Sequence, residues 1–399
     1  MLHERALSPG IDWWKRKKPS GSYFALIRER VCSPERMDED VCTLGDHGRF
    51  AREWRVAQDA GCSSKAPAVT EHDIVAIGAS AGGVSVLKSL VEGLPADPPA
   101  AVFVVMHLPP EAPSMLPRIL SRAGPLEAVW PEDGDPIQNG RIYVAPPNLH
   151  MLLENGTIRL SRGPKENLHR PAVDPLFRTA ALAYGPRAVG VVLSGALDDG
   201  TAGLRAIKRR GGVAVVQDPE EALVPGMPQS ALRYVDVDHR LPVDKIAPLL
   251  SRLAREPAIQ KGAKEGALLV PDDMEFESKI AGLDPTVIDS GDHPGELSAF
   301  SCPECTGPLY EIRDGELLRF RCRVGHAYTT ESVLEEKSEV LEDALYLALN
   351  TLEEGAIISD RMAASSHDRG HDRLVGSFEE RAREARRRAR VIRQVLTEP

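Results

Sequence analysis

Asp73–Gly83, DIVAIGASAGG, is an apolar run that closes on a glycine-rich turn and is followed by a helix-like stretch at Val84–Val91. A buried strand entering a helix through so tight a turn is the opening unit of an α/β sheet. Within it, Gly78-Ala79-Ser80-Ala81-Gly82 has the spacing G-x-S-x-G. Small residues allow the sharp turn without side-chain clash. Ser80 Oγ is then presented at the carboxyl edge of the sheet, with the N–H groups of the helix start facing developing negative charge. A phosphate-binding turn is the competing reading of the same unit. Against it, Gly78-x-Ser80-x-x-Gly83 departs from G-x-G-x-x-G at one position, and the next strand closes on Met106-His107 with no acidic ribose partner.

Outward from this turn, similar runs recur at Ala101–Met106, Gly140–Val144, Ala188–Leu193 and Gly212–Val216. Most are continuously apolar, the pattern of parallel strands covered by helices on both faces. Helical patterns lie between and after them at Pro113–Arg122, Asp174–Tyr184, Ala202–Arg210 and Asp244–Arg255. The expectation is a doubly wound α/β domain with a mostly parallel sheet over residues 70–255. Two of its strand ends carry further chemistry. VFVVMHLPP puts His107 at the carboxyl end of the second strand, where it can serve as base to an otherwise weak serine nucleophile. The turn Ser194-Gly195-Ala196-Leu197-Asp198-Asp199-Gly200 offers a carboxylate to orient that imidazole, together with backbone N–H groups. Residue chemistry alone leaves Asp198 and Asp199 as alternatives, and one of them has a second use in capping the helix near Thr201.

The chain has 399 residues, 42% hydrophobic and 27% charged, so it has room for two or three domains of about 150 residues each. The composition excludes disordered, collagen-like and disulfide-dense secreted classes. Its net charge of −10, from 49 basic and 59 acidic residues, argues against a nucleic-acid partner. No run approaches the ~20 apolar residues that span a bilayer, and MLHERALSPGIDWWKRKK has no signal-peptide core. A cytoplasmic protein without direct membrane insertion is expected. Residues 1–69 lack periodicity and read as a poorly ordered extension, or as the product of a start codon set too far upstream.

Several blocks in order now carry a resemblance: IGASAGG (77–83), Met106-His107, YVAPPNLHM (143–151), HRPAVDPLF (169–177), LSGALDDG (193–200) and VPGMPQSA (224–231). Residues 72–254 resemble the catalytic domain of the CheB family, the chemotaxis protein-glutamate methylesterases. The resemblance implies hydrolysis of glutamate methyl esters, and deamidation of glutamines, on chemoreceptors or receptor-like signalling proteins. It implies Ser80 as nucleophile, His107 as base and Asp199 as the orienting carboxylate, with no cofactor for catalysis. It also implies an oxyanion site using a main-chain N–H near Ala196, with His169 and Arg170 shaping the entrance. Family members commonly begin with a phosphoryl-accepting receiver domain, and 69 residues are too few for one. A serine hydrolase of another substrate class and a non-catalytic adaptor are the alternatives.

Cys302-Pro-Glu-Cys305 is followed by Cys322-Arg-Val-Gly-His326. The form C-x2-C, spacer, C-x3-H supplies three thiolates and an imidazole, suited to a structural tetrahedral zinc. The spacer reads as strands Leu309–Arg313 and Glu316–Arg321 joined at Asp314-Gly315, a zinc-ribbon-like module over 299–330. Residues 256–298 read as a linker. The tail, 331–399, reads as a helical hairpin over 331–359 and 374–397. Its apolar seams are Leu334, Leu341, Leu345, Ala348, Leu352 and Phe378, Ala382, Ala385, Ala389, Ile392, Leu396. An acidic first helix and an Arg-rich second suggest an antiparallel pair or a dimer. The tail offers a docking element for a methyltransferase or another signalling protein.

Overall fold

The computed structural model describes residues 71–109, 115–258, 272–288, 290 and 295–397. The extension expected at 1–69 lies outside these residues, as does the start of the helix expected from Pro113. β1 (Ile74–Ala79) pairs in parallel with β2 (Ala101–Met106) on one side and β7 (Ala188–Val192) on the other. The full sheet adds β3 (Glu127–Val129), β4 (Arg141–Val144), β8 (Val213–Gln217) and β9 (His239–Leu241), in the order β3-β4-β2-β1-β7-β8-β9, parallel throughout. α1 (Gly83–Glu92), α2 (Leu116–Ala123) and α6 (Val243–Leu253) cover one face. α3 (Val173–Tyr184), α4 (Thr201–Arg209) and α5 (Gly226–Tyr234) cover the other.

β1 shows why the strand is apolar without alternation. Val75, Ile77 and Ala79 enter the first core, and Ile74 and Ala76 enter the second. A polar side chain on either face would lose water without gaining a partner. At Gly78 a Cβ would stand 2.4 Å from Val173 Cγ1, so α3 packs directly on the strand backbone. The chain leaves β1 toward β2 and later returns on its other side as β7. That reversal opens a crevice at the carboxyl end of β1, the position where open α/β sheets bind ligands.

Outside the sheet, β5 (His150–Glu154) and β6 (Thr157–Ser161) form an antiparallel hairpin against α3, tied by Leu153 N–H to Thr179 Oγ1 at 3.0 Å. In the span expected to be a linker there is instead a helix, α7 (Asp272–Ala281), and the start of β10 (Glu296–Ser301). β10, β11 (Pro308–Asp314), β12 (Leu317–Cys322) and β13 (Ala327–Thr329) make an antiparallel four-stranded sheet. Its tight turn is Gly315-Glu316 rather than Asp314-Gly315, because Asp314 pairs with Leu317 and turns its buried carboxylate to Arg205 and Arg209 of α4. β13 runs straight into α8 (Thr330–Asp368) through a capping box between Thr329 and Ser332.

α9 (Asp372–Thr397) folds back antiparallel on α8, with Arg386 paired to Asp360 and Arg393 to Glu353. Ala382 and Ala389 are buried on the expected seam of α9, facing Ala356, Ser359 and Ala363 on α8. The seam of α8 is covered only from Leu345 onward. Leu334 and Leu341 are 67% and 60% exposed, because α9 ends before reaching them. Among the described residues no helix is long and apolar enough to cross a membrane.

Ion pairs join the small sheet to the large one. Glu166 Oε1 accepts from Arg178 at 2.8 Å and Arg321 at 3.0 Å. Glu277 Oε2 of α7 meets Arg319 at 2.8 Å, Arg178 at 3.2 Å and Arg321 at 3.4 Å. Burial alone would raise the Glu277 carboxyl, but these three guanidinium groups hold it well below the usual carboxylate range. Glu277→Gln leaves Arg178 and Arg321 sharing Glu166 and takes from Arg319 its carboxylate, and is expected to destabilise the protein by about 3–5 kcal/mol, read as an earlier urea midpoint. A carboxyl depressed in the folded state contributes fully above its ordinary value of 4.5 and loses that contribution as pH falls below it. Acidification below that value should therefore cost the parent more stability than it costs Glu277→Gln. Equal acid slopes would refute this account of the cluster.

Candidate active site

Three loops converge at the crevice. After β1, Gly82 takes φ of 78° as the N-cap of α1, a conformation that keeps Ser80 outside the helix. Ser80 N–H donates to Ser194 O at 2.9 Å, which ties the first turn to the loop after β7. A Cβ on Gly195 would fall 2.8 Å from Ser80 Cβ and closer still to Met227 Sδ, so only glycine lets that loop lie against the serine. His107 follows β2 directly. Its Nε2 meets Asp199 Oδ2 at 2.8 Å, and the two side chains are 4% and 2% exposed. His107 Nδ1 is buried and has no hydrogen-bond partner among the described residues.

The geometry separates the two aspartates. Asp199 accepts from His107, from Val173 N–H at 2.6 Å, Gly200 N–H at 2.9 Å, Asn167 Nδ2 at 3.0 Å and Asp174 N–H at 3.2 Å. Burial would raise its carboxyl, but these donors, led by His107, hold it below the usual range. Asp198 turns away toward Thr329 and Glu331, and burial pushes it up to about 7. Neither side chain caps α4, whose N-cap is Gly200.

His169 stacks on His107, with ring centroids 3.6 Å apart and planes 22° apart. Burial, and then the neighbouring His107, push His169 down to about 4, so at neutral pH it lies uncharged against the other ring. Arg170 is held by Asn148 Oδ1 at 2.6 and 2.8 Å and by Gly163 O at 2.9 Å. Ser80, His107, His169, Arg170 and Lys165 line a cavity of about 640 Å³, with Leu168 and Leu223 at its side. Ala196 is exposed beside this cavity rather than in its lining, and its N–H makes no backbone hydrogen bond among the described residues. Asn167, Asp174 and Lys165 escape a reading of the sequence. Asp174 sits inside the block HRPAVDPLF, but Asn167 and Lys165 belong to no motif.

The four expected metal ligands also come together. Cys302, Cys305, Cys322 and His326 place their ligand atoms within 4.8 Å of one another, and the three thiols are free. Two short turns, Cys302 N–H to Gly307 O and Cys322 N–H to His326 O, set the pairs. His326 directs Nδ1 to the cluster, while its Nε2 meets Glu304 Oε2 at 3.2 Å, an outer partner of the kind that orients metal-bound imidazoles.

The family model described as CheB methylesterase matches residues 75–250. A Leptospira interrogans protein (strain Fiocruz L1-130), provisionally named protein-glutamate methylesterase/protein-glutamine glutaminase, is 39% identical over 183 residues, which is 46% of this chain and 95% of that protein. The chain belongs to the CheB methylesterase family. A CheB relative from Anaeromyxobacter dehalogenans (strain 2CP-C), named protein-glutamate methylesterase/protein-glutamine glutaminase 2, is 38% identical, covering 63% of this chain and 71% of that protein. Among solved structures, the CheB methylesterase catalytic domain of Thermotoga maritima is 35% identical, covering 45% of this chain and 98% of that chain at a TM-score of 0.44.

Proposed function

We propose that this CheB-family chain hydrolyses glutamate γ-methyl esters on a chemoreceptor or receptor-like signalling protein, and deamidates glutamine at such sites, through Ser80, His107 and Asp199. The observation that carries the reading is the buried 2.8 Å pair of His107 and Asp199 at the crevice edge where the chain turns through Ser80. Asp199 holds Nε2–H of His107, which leaves Nδ1 as the nitrogen that accepts the serine proton. Ser80 Oγ then attacks the ester carbonyl carbon. The developing oxyanion is met by N–H groups at the start of α1 and by the N–H of Ala196. His107 returns the proton to the leaving methanol, or to ammonia from glutamine, and water hydrolyses the acyl-enzyme by the same relay. The neutral His169 ring holds the His107 plane without adding a charge. Methanol release from a methyl-esterified receptor cytoplasmic domain tests the reading. Release proportional to enzyme is expected; none from folded protein would overturn it.

The cysteine-histidine cluster fits structural zinc in its donor set and spacing. Zinc with bonds of about 2.3 Å to sulfur and about 2.0 Å to nitrogen sets neighbouring ligand atoms about 3.5–3.8 Å apart. Here Cys305 and Cys322 Sγ are 3.6 Å apart, and His326 Nδ1 lies 3.5 Å from Cys322 Sγ and 3.8 Å from Cys302 Sγ. Zinc would staple a small sheet that has little core of its own. Metal analysis of native protein should find about one zinc per chain, and Cys302→Ser with Cys322→Ser should abolish it. Full zinc occupancy in that double variant would exclude this site.

A further inference from the structure

We infer that Asn167 is a positioning residue for the Asp199 carboxylate, and that the cysteine-histidine ribbon holds Asn167 in place; the inference rests on the triad reading of Ser80, His107 and Asp199. Asn167 Nδ2 bridges two buried carboxylates, Asp199 Oδ1 at 3.0 Å and Asp174 Oδ2 at 2.9 Å. Asp174 is also fixed, accepting from Gly203 N–H at 2.7 Å. Burial and the neighbouring Asp199 push Asp174 up to about 8, and the shared amide adds one donor to those, led by His107, that keep Asp199 ionised. Asp199 Oδ2 is thereby left to face His107.

The ribbon adds to what the catalytic domain supplies in holding Asn167. Asn167 and Leu168 both have left-handed backbone, with φ of 48° and 71°. Two such residues in succession persist only where their surroundings over-determine them. Here Glu166 and His169 close the turn from within the catalytic domain, each N–H donating to the other's carbonyl, and the ribbon fixes it from outside. Asn167 N–H donates to Ala327 O at 2.8 Å, and Ala327 N–H donates back to Lys165 O at 3.2 Å. Ala327 follows the ligand His326 directly. Glu304, which meets His326 Nε2, also pairs with Lys165 Nζ at 2.9 Å. On the other side Arg321, next to the ligand Cys322, holds both Glu166 and Gly325 O. Each residue from Lys165 to Asn167 is thus tied to a ribbon residue at or beside a metal ligand.

The test uses the full chain and a fluorophosphonate probe, which reports the reactivity of Ser80 whatever the natural ester is. Asn167→Gly keeps the backbone conformation and removes the donor. Its saturating rate of Ser80 labelling should fall about 10- to 100-fold, the worth of one hydrogen bond to a buried charge, with the half-saturating probe concentration and zinc content unchanged. Asn167→Asp, which keeps the shape and turns an acceptor to both carboxylates, should fall at least as far. Chelation of zinc from the parent should reproduce the fall, re-addition of zinc should reverse it, and Asn167→Gly should respond to neither. Rates within twofold of the parent in both variants, or a parent rate untouched by zinc loss, would overturn the inference alone. A parent that takes no label at Ser80 would overturn the triad reading and the inference with it.

Discussion

Ser80→Ala is expected to cut methyl-ester turnover about a hundred-thousandfold while leaving the unfolding transition where it is. The substitution removes one oxygen. The hydrogen bonds that shape the turn belong to the backbone: Ser80 N–H to Ser194 O and Gly83 N–H to Ser80 O, at 2.9 and 2.8 Å. A change of this size away from core and caps shifts stability by less than about 0.5 kcal/mol. The crevice, its cavity and the helix start all remain, so substrate binding should persist with little turnover. Binding with loss of methanol release identifies Ser80 as the nucleophile. Turnover within tenfold of the parent would place the nucleophile elsewhere in the cavity.

Asp199→Asn is expected to cost about ten-thousandfold in turnover, for a different reason. Five donors converge on this carboxylate, from His107, Val173, Asp174, Gly200 and Asn167. An asparagine must turn its NH2 toward at least one of them, and that clash removes about 1–3 kcal/mol of stability. If the NH2 faces His107, the imidazole must present an acceptor at Nε2, and the proton then sits on Nδ1, the nitrogen that should be taking one from Ser80. Melting curves measure the stability loss and initial rates measure the tautomer error. Adding Asp199→Asn to Ser80→Ala should cost almost nothing more, because the two residues act as one unit. A further loss as large as that of the single variant would show that Asp199 contributes outside the relay.

Five of the seven central strands were legible in the sequence because they are buried on both faces; the edge strands β3 and β9 are three residues long and partly exposed, and left no such run. IVAI, AVFVVM and AVGVVL have no polar position to disguise them, and each expected run falls within a residue or two of a strand boundary. Ser80 and His107 were legible because both follow directly on such strands. The choice between Asp198 and Asp199 was not, since both are buried and only side-chain direction separates them. α7 was missed because one of its buried residues is Glu277, kept inside by three arginines distant in sequence. Hydrophobic periodicity is blind to a helix anchored by charge. Asn167 was invisible for a related reason: its side-chain partners lie 7, 32 and 165 residues away, across a backbone conformation no local pattern signals.

β13 passes into α8 at Thr329 with no intervening loop, and α8 runs for 39 residues, about 58 Å at 1.5 Å per residue. Without a hinge, the helix behaves as a ruler whose zero mark is set within a few residues of the active-site wall. A tilt of about one degree at Thr329 displaces the far end at Asp368 by about 1 Å over that length. The span from Ser80 to the tip of the hairpin is therefore a fixed reach, set by the number of residues in α8, and each residue inserted or deleted there would change it by about 1.5 Å.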